Sequence, residues 1–317
     1  MYFPYLRARQ FELIALRELS TEVNFKNYVT PVLEPVRESV NGVNLANRIF
    51  YENNFQPFLI VNPLQGEIPR DTSLLLEYIQ TLEDCSFHPA FHFTNNAEYI
   101  LSSIHNYSLN NVMLICLDGF NDDQSLRDLC ESSYISHIMV LEPQKNRQLD
   151  RYIKSLHKFY IRLDDVFEKQ DKNADYLNVP AHKFSEEHLF YKDEGYNGFS
   201  DFTVLPGTFI DGGSTPRAVV IHLSYINENQ NNEIWVRHFT STTNDSIANV
   251  QLKFAEAARK AVNFVSEHNL ENAAISELES YFKEGKYPGL GTIKKISIKN
   301  HLIIVSDFLK MKGDEGL

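Results

Sequence analysis

The sequence predicts an α/β chain folded as a (β/α)8 TIM-type barrel, with an extra β-hairpin and C-terminal helices. Three observations lead there. Short runs of β-branched and aromatic residues recur about every 25 residues over the first half of the chain. Helix-period segments lie between them, the alternation expected of a parallel sheet built from βαβ units. A length of 317 residues suits one large core of this kind.

Residues 10–19 carry Phe11, Ile14, Ala15 and Leu19 at helical spacing and predict a short amphipathic helix that plugs or flanks the core. Eight strands are expected at 29–36 (VTPVLEPV), 58–61, 90–93, 112–117, 138–141, 159–163, 199–205 and 218–225. Helices are expected near 43–51, 72–82, 97–105, 124–132 and 147–156, with Asp71 and Asn96 as N-caps for two of them. Residues 164–198 are long and polar and contain Pro180, so they read as an excursion that covers the barrel rim. After a turn-rich loop (NENQNN, 227–232), residues 234–240 return antiparallel as a hairpin. Residues 246–317 read as a helical extension on the same core, broken by a connector at 285–291, which places the barrel domain at 1–245.

Composition narrows the function. Lys plus Arg number 30 against 42 Asp plus Glu, and the net charge of −12 opposes strong direct binding to nucleic acid. No apolar run approaches the length of a membrane span, and Arg7, Arg9 and Glu12 interrupt the N-terminal stretch where a secretory signal would be apolar. Cys85, Cys116 and Cys130 are odd in number and widely spaced, which argues against a disulfide framework. A cytoplasmic protein is expected. No HExxH, GxSxG, CxxC, DFG or Walker pattern is present, and Cys116 lies inside a strand run, where it reads as core.

In a barrel the βα loops converge beyond the C-terminal ends of the strands, so chemistry should be carried by the polar residues at the ends of the apolar runs. That rule selects Glu34, Asn62, His92, Asp118, Glu142, Arg162, Asp164, Asp201 and His222, with His238 on the hairpin. Glu34, Asp118, Glu142, His92 and His222 could perform acid/base work or hold a divalent metal, and Arg162 could take an anion. Asn62, Asp118 and Glu142 also suit the plain reading of a strand meeting solvent. Glu34, His92, Arg162 and His222 differ because apolar residues flank them on both sides, as in VLEPV, AFHF, YIRLD and VIHLSY. Buried groups of this kind need partners, which a structural pair supplies as well as a ligand does. Gly207, Gly212, Gly213, Ser214 and Thr215 stand where barrels often hold phosphate, but no helix start or GK[ST] ending accompanies them. They read as a turn.

The phrases FPYLRARQFELIALREL (3–19), TPVLEPV (30–36), EGYNGFSDFTVLPG (194–207), RAVVIHLSY (217–225) and WVRHF (235–239) resemble the beta family of proteins over most of residues 1–245. The resemblance implies a bacterial or phage protein from defence-associated or mobile gene neighbourhoods, sometimes encoded beside a small nuclease-like partner. Arg7 and Gln10 match the family's opening motif, which makes them candidates for ligand or partner contact. Two functions remain open: a barrel whose rim binds a ligand or protein partner, or a metal-dependent phosphoester or nucleotide hydrolase using Glu34, His92, Asp118, Glu142 and His222.

Overall fold

The computed structural model describes residues 1–69, 73–212 and 217–315. The chain divides into two compact units. The first comprises Met1–Leu13, Ser20–Asp165 and Glu187–Phe202, and the second Ile14–Leu19, Val166–Glu186 and Thr203 onward.

The first unit is a nearly closed barrel of eight parallel strands in the order β1 (Tyr5–Leu6), β2 (Val32–Leu33), β3 (Phe58–Ile60), β4 (His88–His92), β5 (Val112–Cys116), β6 (Ile135–Leu141), β7 (Phe159–Asp164) and β9 (Gly198–Asp201). Tyr2 draws the two ends together, bridging Val29 on one side and Phe199 on the other in parallel register. The Phe3 amide donates to the Phe199 carbonyl at 2.9 Å. Alternate residues point inward. Phe3, Tyr5, Val32, Phe58, Ile60, Ala90, Met113, Ile115, Met139, Ile161, Leu163 and Phe202 fill the interior as one buried cluster.

Six helices of the chain fall where the periodicity places them: α1 (Gln10–Leu19, through which the division between units runs), α3 (Asn41–Glu52), α4 (Leu74–Thr81), α5 (Ala97–Asn106), α6 (Gln124–Glu131) and α7 (Arg147–Ser155); the short α2 (Phe25–Tyr28) and α8 (Glu187–Phe190), the latter before β9, were not expected. Asp71 and Thr72 lie outside the described residues. Asn96 takes the N-cap position of α5, but its Oδ1 accepts from the Thr94 amide instead of capping the helix. The side-chain cap that does form in this unit, Asp123 accepting from Leu126 on α6, was not expected.

Gly198 shows how tightly the barrel closes. A Cβ there would stand 2.7 Å from Cε2 of Phe3, a ring buried in the barrel core. Gly198→Ala is therefore expected to destabilise the barrel by about 1–3 kcal/mol through overpacking. Urea unfolding followed by far-UV circular dichroism reads the change; a midpoint equal to the parent's would show that Phe3 yields freely.

Three expectations are corrected. Residues 218–225 do not form the eighth barrel strand; that place is taken by β1 (Tyr5–Leu6), extended by the Tyr2 bridges, ahead of α1. A two-residue strand flanked by Pro4 and Arg7 carries too few β-formers to register as a run, whereas 218–225 has them in abundance but pairs elsewhere. Residues 164–198 are not one excursion: Glu187 onward returns to the first unit as α8 and the approach to β9, and Val166–Glu186 belong to the second. They supply a 3-10 turn at Asn173–Leu177 and β8 (Ala181–Ser185) to the second unit. The expected boundary at residue 245 falls inside that unit.

The second unit is built on a three-stranded antiparallel sheet in the order β10 (Val220–Asn227), β11 (Glu233–Thr240), β8. Its helices are α9 (Val250–Glu267), α10 (Ala273–Lys283) and α11 (Leu290–Glu315). Asn272 interrupts what reads as one helical stretch. Its Oδ1 accepts from the amides of Ala274 and Ile275 at 2.9 and 3.0 Å and starts α10. One face of the hairpin, with Ile221, Leu223, Tyr225 and Phe239, packs on Phe254, Ala258, Ala261 and Phe264 of α9 and Ile293 and Ile296 of α11. The opposite face carries His222, Ser224 and His238.

Candidate functional site

The inward phase of β1, β2 and β4 sets the first cluster. Tyr5 is paired with Val32, so Arg7 and Glu34, one step further in the same phase, meet beyond the last ladder rung. His92 ends β4 on the same interior side as Ala90. Arg7 is ion-paired with Glu34, and the Tyr5 hydroxyl donates to Glu34 Oε2 at 2.9 Å while standing 2.9 Å from His92 Nε2. Glu34 Oε1 accepts from the amides of Leu64 and Gln65 at 2.8 and 3.2 Å and lies 3.5 Å from His92 Nε2. Glu34 and His92 are fully buried and Arg7 is 8% exposed. The Arg7 guanidinium also lies over the rings of Tyr5 and Phe202.

Burial alone would push the Glu34 carboxyl up. The hydrogen bond and charge of His92, the charge of Arg7 and the Leu64 amide outweigh it and hold the group down at about 2. The loop that brings those amides turns at Gly66, where φ is +91° and a Cβ would stand 2.1 Å from the Val36 carbonyl oxygen, so only glycine fits. Asn62 acts on the backbone of His92: its Nδ2 donates to the His92 carbonyl and its Oδ1 accepts from the His92 amide, both at 2.8 Å. His92 Nδ1 is buried without a hydrogen-bond partner.

The structure therefore gathers Arg7, Glu34, Asn62 and His92, and adds Tyr5, which sequence reasoning missed. The other candidates stand apart. Arg162 and Asp164 alternate with the inward-facing Ile161 and Leu163 and so face outward, as does Asp201 beside the inward Phe202. There Arg162 binds Asp164 at 2.7 Å, Glu187 at 3.1 Å and Glu194 at 2.7 Å, and the Tyr2 hydroxyl donates to Asp201 at 2.6 Å. Arg162 is thus fully engaged by carboxylates and corrected from anion ligand to outer-face tie. Burial pushes the Asp164 carboxyl up, against the Arg162 hydrogen bond and with help from the charges of Glu142 and Asp201. Asp118 and Glu142 follow β5 and β6 at the rim; Asp118 is exposed, and Glu142 pairs with Lys145 at 2.5 Å. Gln10 begins α1 exposed to solvent.

His222, expected in a barrel strand, is corrected most, whereas His238 lies on the hairpin as expected. They lie in the second unit, opposite each other across β10 and β11. His238 Nδ1 meets His222 Nδ1 at 2.6 Å, and His238 Nε2 meets His182 Nδ1 at 2.9 Å, so three imidazoles form one chain. Phe167 and Tyr176 pack against them, with the Tyr176 and His238 ring centres 4.4 Å apart. Burial, then the neighbouring imidazoles, push His238 down to about 2 and His222 to about 3, so both are neutral at pH 7. Because His238 turns a different nitrogen to each neighbour, the three cannot converge on one ion. Among the described residues no group of three or more His, Cys, Asp and Glu is placed to hold a metal.

Gly207 and Gly212 lie in irregular chain, and Gly213, Ser214 and Thr215 lie outside the described residues. Cys116 is buried and its thiol is pushed up by that burial, as a core residue's would be. Among the described residues no helix is long and apolar enough to cross a membrane. No family model, no curated protein and no solved structure matches the chain.

Proposed function

We propose that the barrel is of the TIM type and that its C-terminal end binds a ligand or protein partner, with the Arg7, Tyr5, Glu34 and His92 cluster as the rigid floor of that site. The observation that carries this reading is the saturation of Glu34. Its Oε2 accepts from Arg7 and Tyr5, and its Oε1 from two backbone amides. A carboxylate with both oxygens so engaged has no lone pair left for a metal or for a substrate proton. That weighs against the hydrolase, whose remaining carboxylates, Asp118 and Glu142, lie on the rim with a lysine partner on Glu142. The resemblance to the beta family supports a place in bacterial or phage defence, with a co-encoded nuclease-like protein as partner, in the cytoplasm.

Two measurements on the purified chain test this. With Mg²⁺, Mn²⁺ or Zn²⁺, no turnover of bis-p-nitrophenyl phosphate is expected, and co-purification with the product of the adjacent gene should be lost in Asp118→Lys/Glu142→Lys. Metal-dependent turnover that disappears in Glu34→Gln would establish the hydrolase instead.

A further inference from the structure

The second unit holds a cavity of its own. It measures about 290 Å³ and opens between the start of β10, the first two turns of α11 and residues 167–176. Its size is that of a small-molecule pocket. Its wall is chemically one-sided. Lys169, Lys294 and His222 line it, and none of the described lining residues is an aspartate or glutamate. In a chain of net charge −12, a described lining with two lysines and no carboxylate stands out. Phe167 and Tyr176 supply flat apolar surface beside these groups.

One further observation points to a ligand. Ser297, on the second turn of α11, lines the cavity, is 3% exposed, and its hydroxyl has no hydrogen-bond partner. A helical serine ordinarily returns its hydroxyl to the carbonyl one turn back. A buried hydroxyl left unpaired is a destabilising feature that a bound acceptor would remove. His222 is set for the same task. Its Nδ1 is engaged by His238, which leaves Nε2 as the nitrogen available to the cavity. The amino end of the 26-residue α11 adds the positive end of its dipole.

We infer that this cavity binds a small organic anion, a carboxylate or phosphate monoester carried on a flat ring, with the ring against Phe167 and Tyr176 and the anion among Lys169, Lys294, His222 and Ser297. The imidazole chain then has a purpose in binding: His182 and His238 fix the ring of His222 and its tautomer from behind.

Isothermal titration calorimetry of the whole chain tests this with AMP, UMP and 4-hydroxybenzoate, each beside its uncharged counterpart (adenosine, uridine and phenol). At least one anion is expected to bind in the micromolar range, and its uncharged counterpart at least about tenfold more weakly. Affinity should fall by at least about tenfold in Lys169→Gln/Lys294→Gln and again in Ser297→Val. Trp235 fluorescence confirms that each variant is folded. Absence of micromolar binding by all three anions, equal binding of charged and uncharged forms, or affinity that survives the double lysine substitution would overturn the assignment. So would loss of binding in Glu142→Lys, which would move the ligand to the barrel rim. Binding retained there leaves this cavity standing whatever the outcome for the rim.

Discussion

Glu34→Leu is expected to destabilise the barrel by about 3–5 kcal/mol, the range found when one member of a buried ion pair is removed. The substitution keeps the volume but leaves the Arg7 guanidinium uncompensated at 8% exposure, and strands the Tyr5 hydroxyl and two amides that Glu34 now accepts from. Arg7→Met/Glu34→Leu should recover most of the loss, because replacing both charges by apolar groups removes the unpaired ion. The single tryptophan, Trp235, lies in the other unit, so far-UV circular dichroism or hydrogen exchange of β1–β4 must follow the barrel. A double variant as unstable as Glu34→Leu alone would show that the loss comes from the cavity and the amides, not the stranded charge.

The second large effect is acid loss of the second unit ahead of the barrel. Unfolded histidines take up protons near pH 6.5, whereas folded His222 and His238 do so only near 3 and 2. Between those values the unfolded state binds more protons, so stability falls as pH falls. At pH 5 the loss from His238 alone is about 2 kcal/mol. Glu34 runs in the same direction but later: its contribution is whole above pH 4.5 and disappears as pH falls toward about 2. Trp235 fluorescence during urea unfolding should therefore show the midpoint dropping between pH 7 and 5, and His238→Phe should flatten that dependence while lowering stability at pH 7. An unchanged slope in the variant would show that the imidazole chain does not control acid stability.

Much of the barrel was legible because helix-period segments separate short apolar runs, and seven of its strands sit at those runs, along which side chains alternate between the two faces. The strand Tyr5–Leu6 was not legible, since so short a strand is made by its pairing with β2 and by the Tyr2 bridges beside it. The same alternation held information that was not used. Phe159, Ile161 and Leu163 share one phase, which puts Arg162 and Asp164 on the outside, and Phe3, Tyr5 and Arg7 share another, which names Tyr5. The hairpin likewise held the pairing of His222 with His238, because a loop centred on residue 230 places them opposite each other. His182 was out of reach. It joins them only because β8, from residues 181–185, adds to the edge of β11, a long-range pairing that no local pattern announces.

The circular order of the barrel also constrains its birth. The strand made first, at residues 2–6, finds one of its two neighbours only when Phe199 has been synthesised. At about 5–20 residues per second, that interval is on the order of 10–40 s on the ribosome. Throughout it, Phe3, Tyr5 and the charge of Arg7 have no closed interior to enter, and β1 exposes an unpaired edge. Nascent chains of this protein are thus natural clients for a holding chaperone until β9 emerges, and release from that chaperone should follow the length of chain translated, with its step near residue 200.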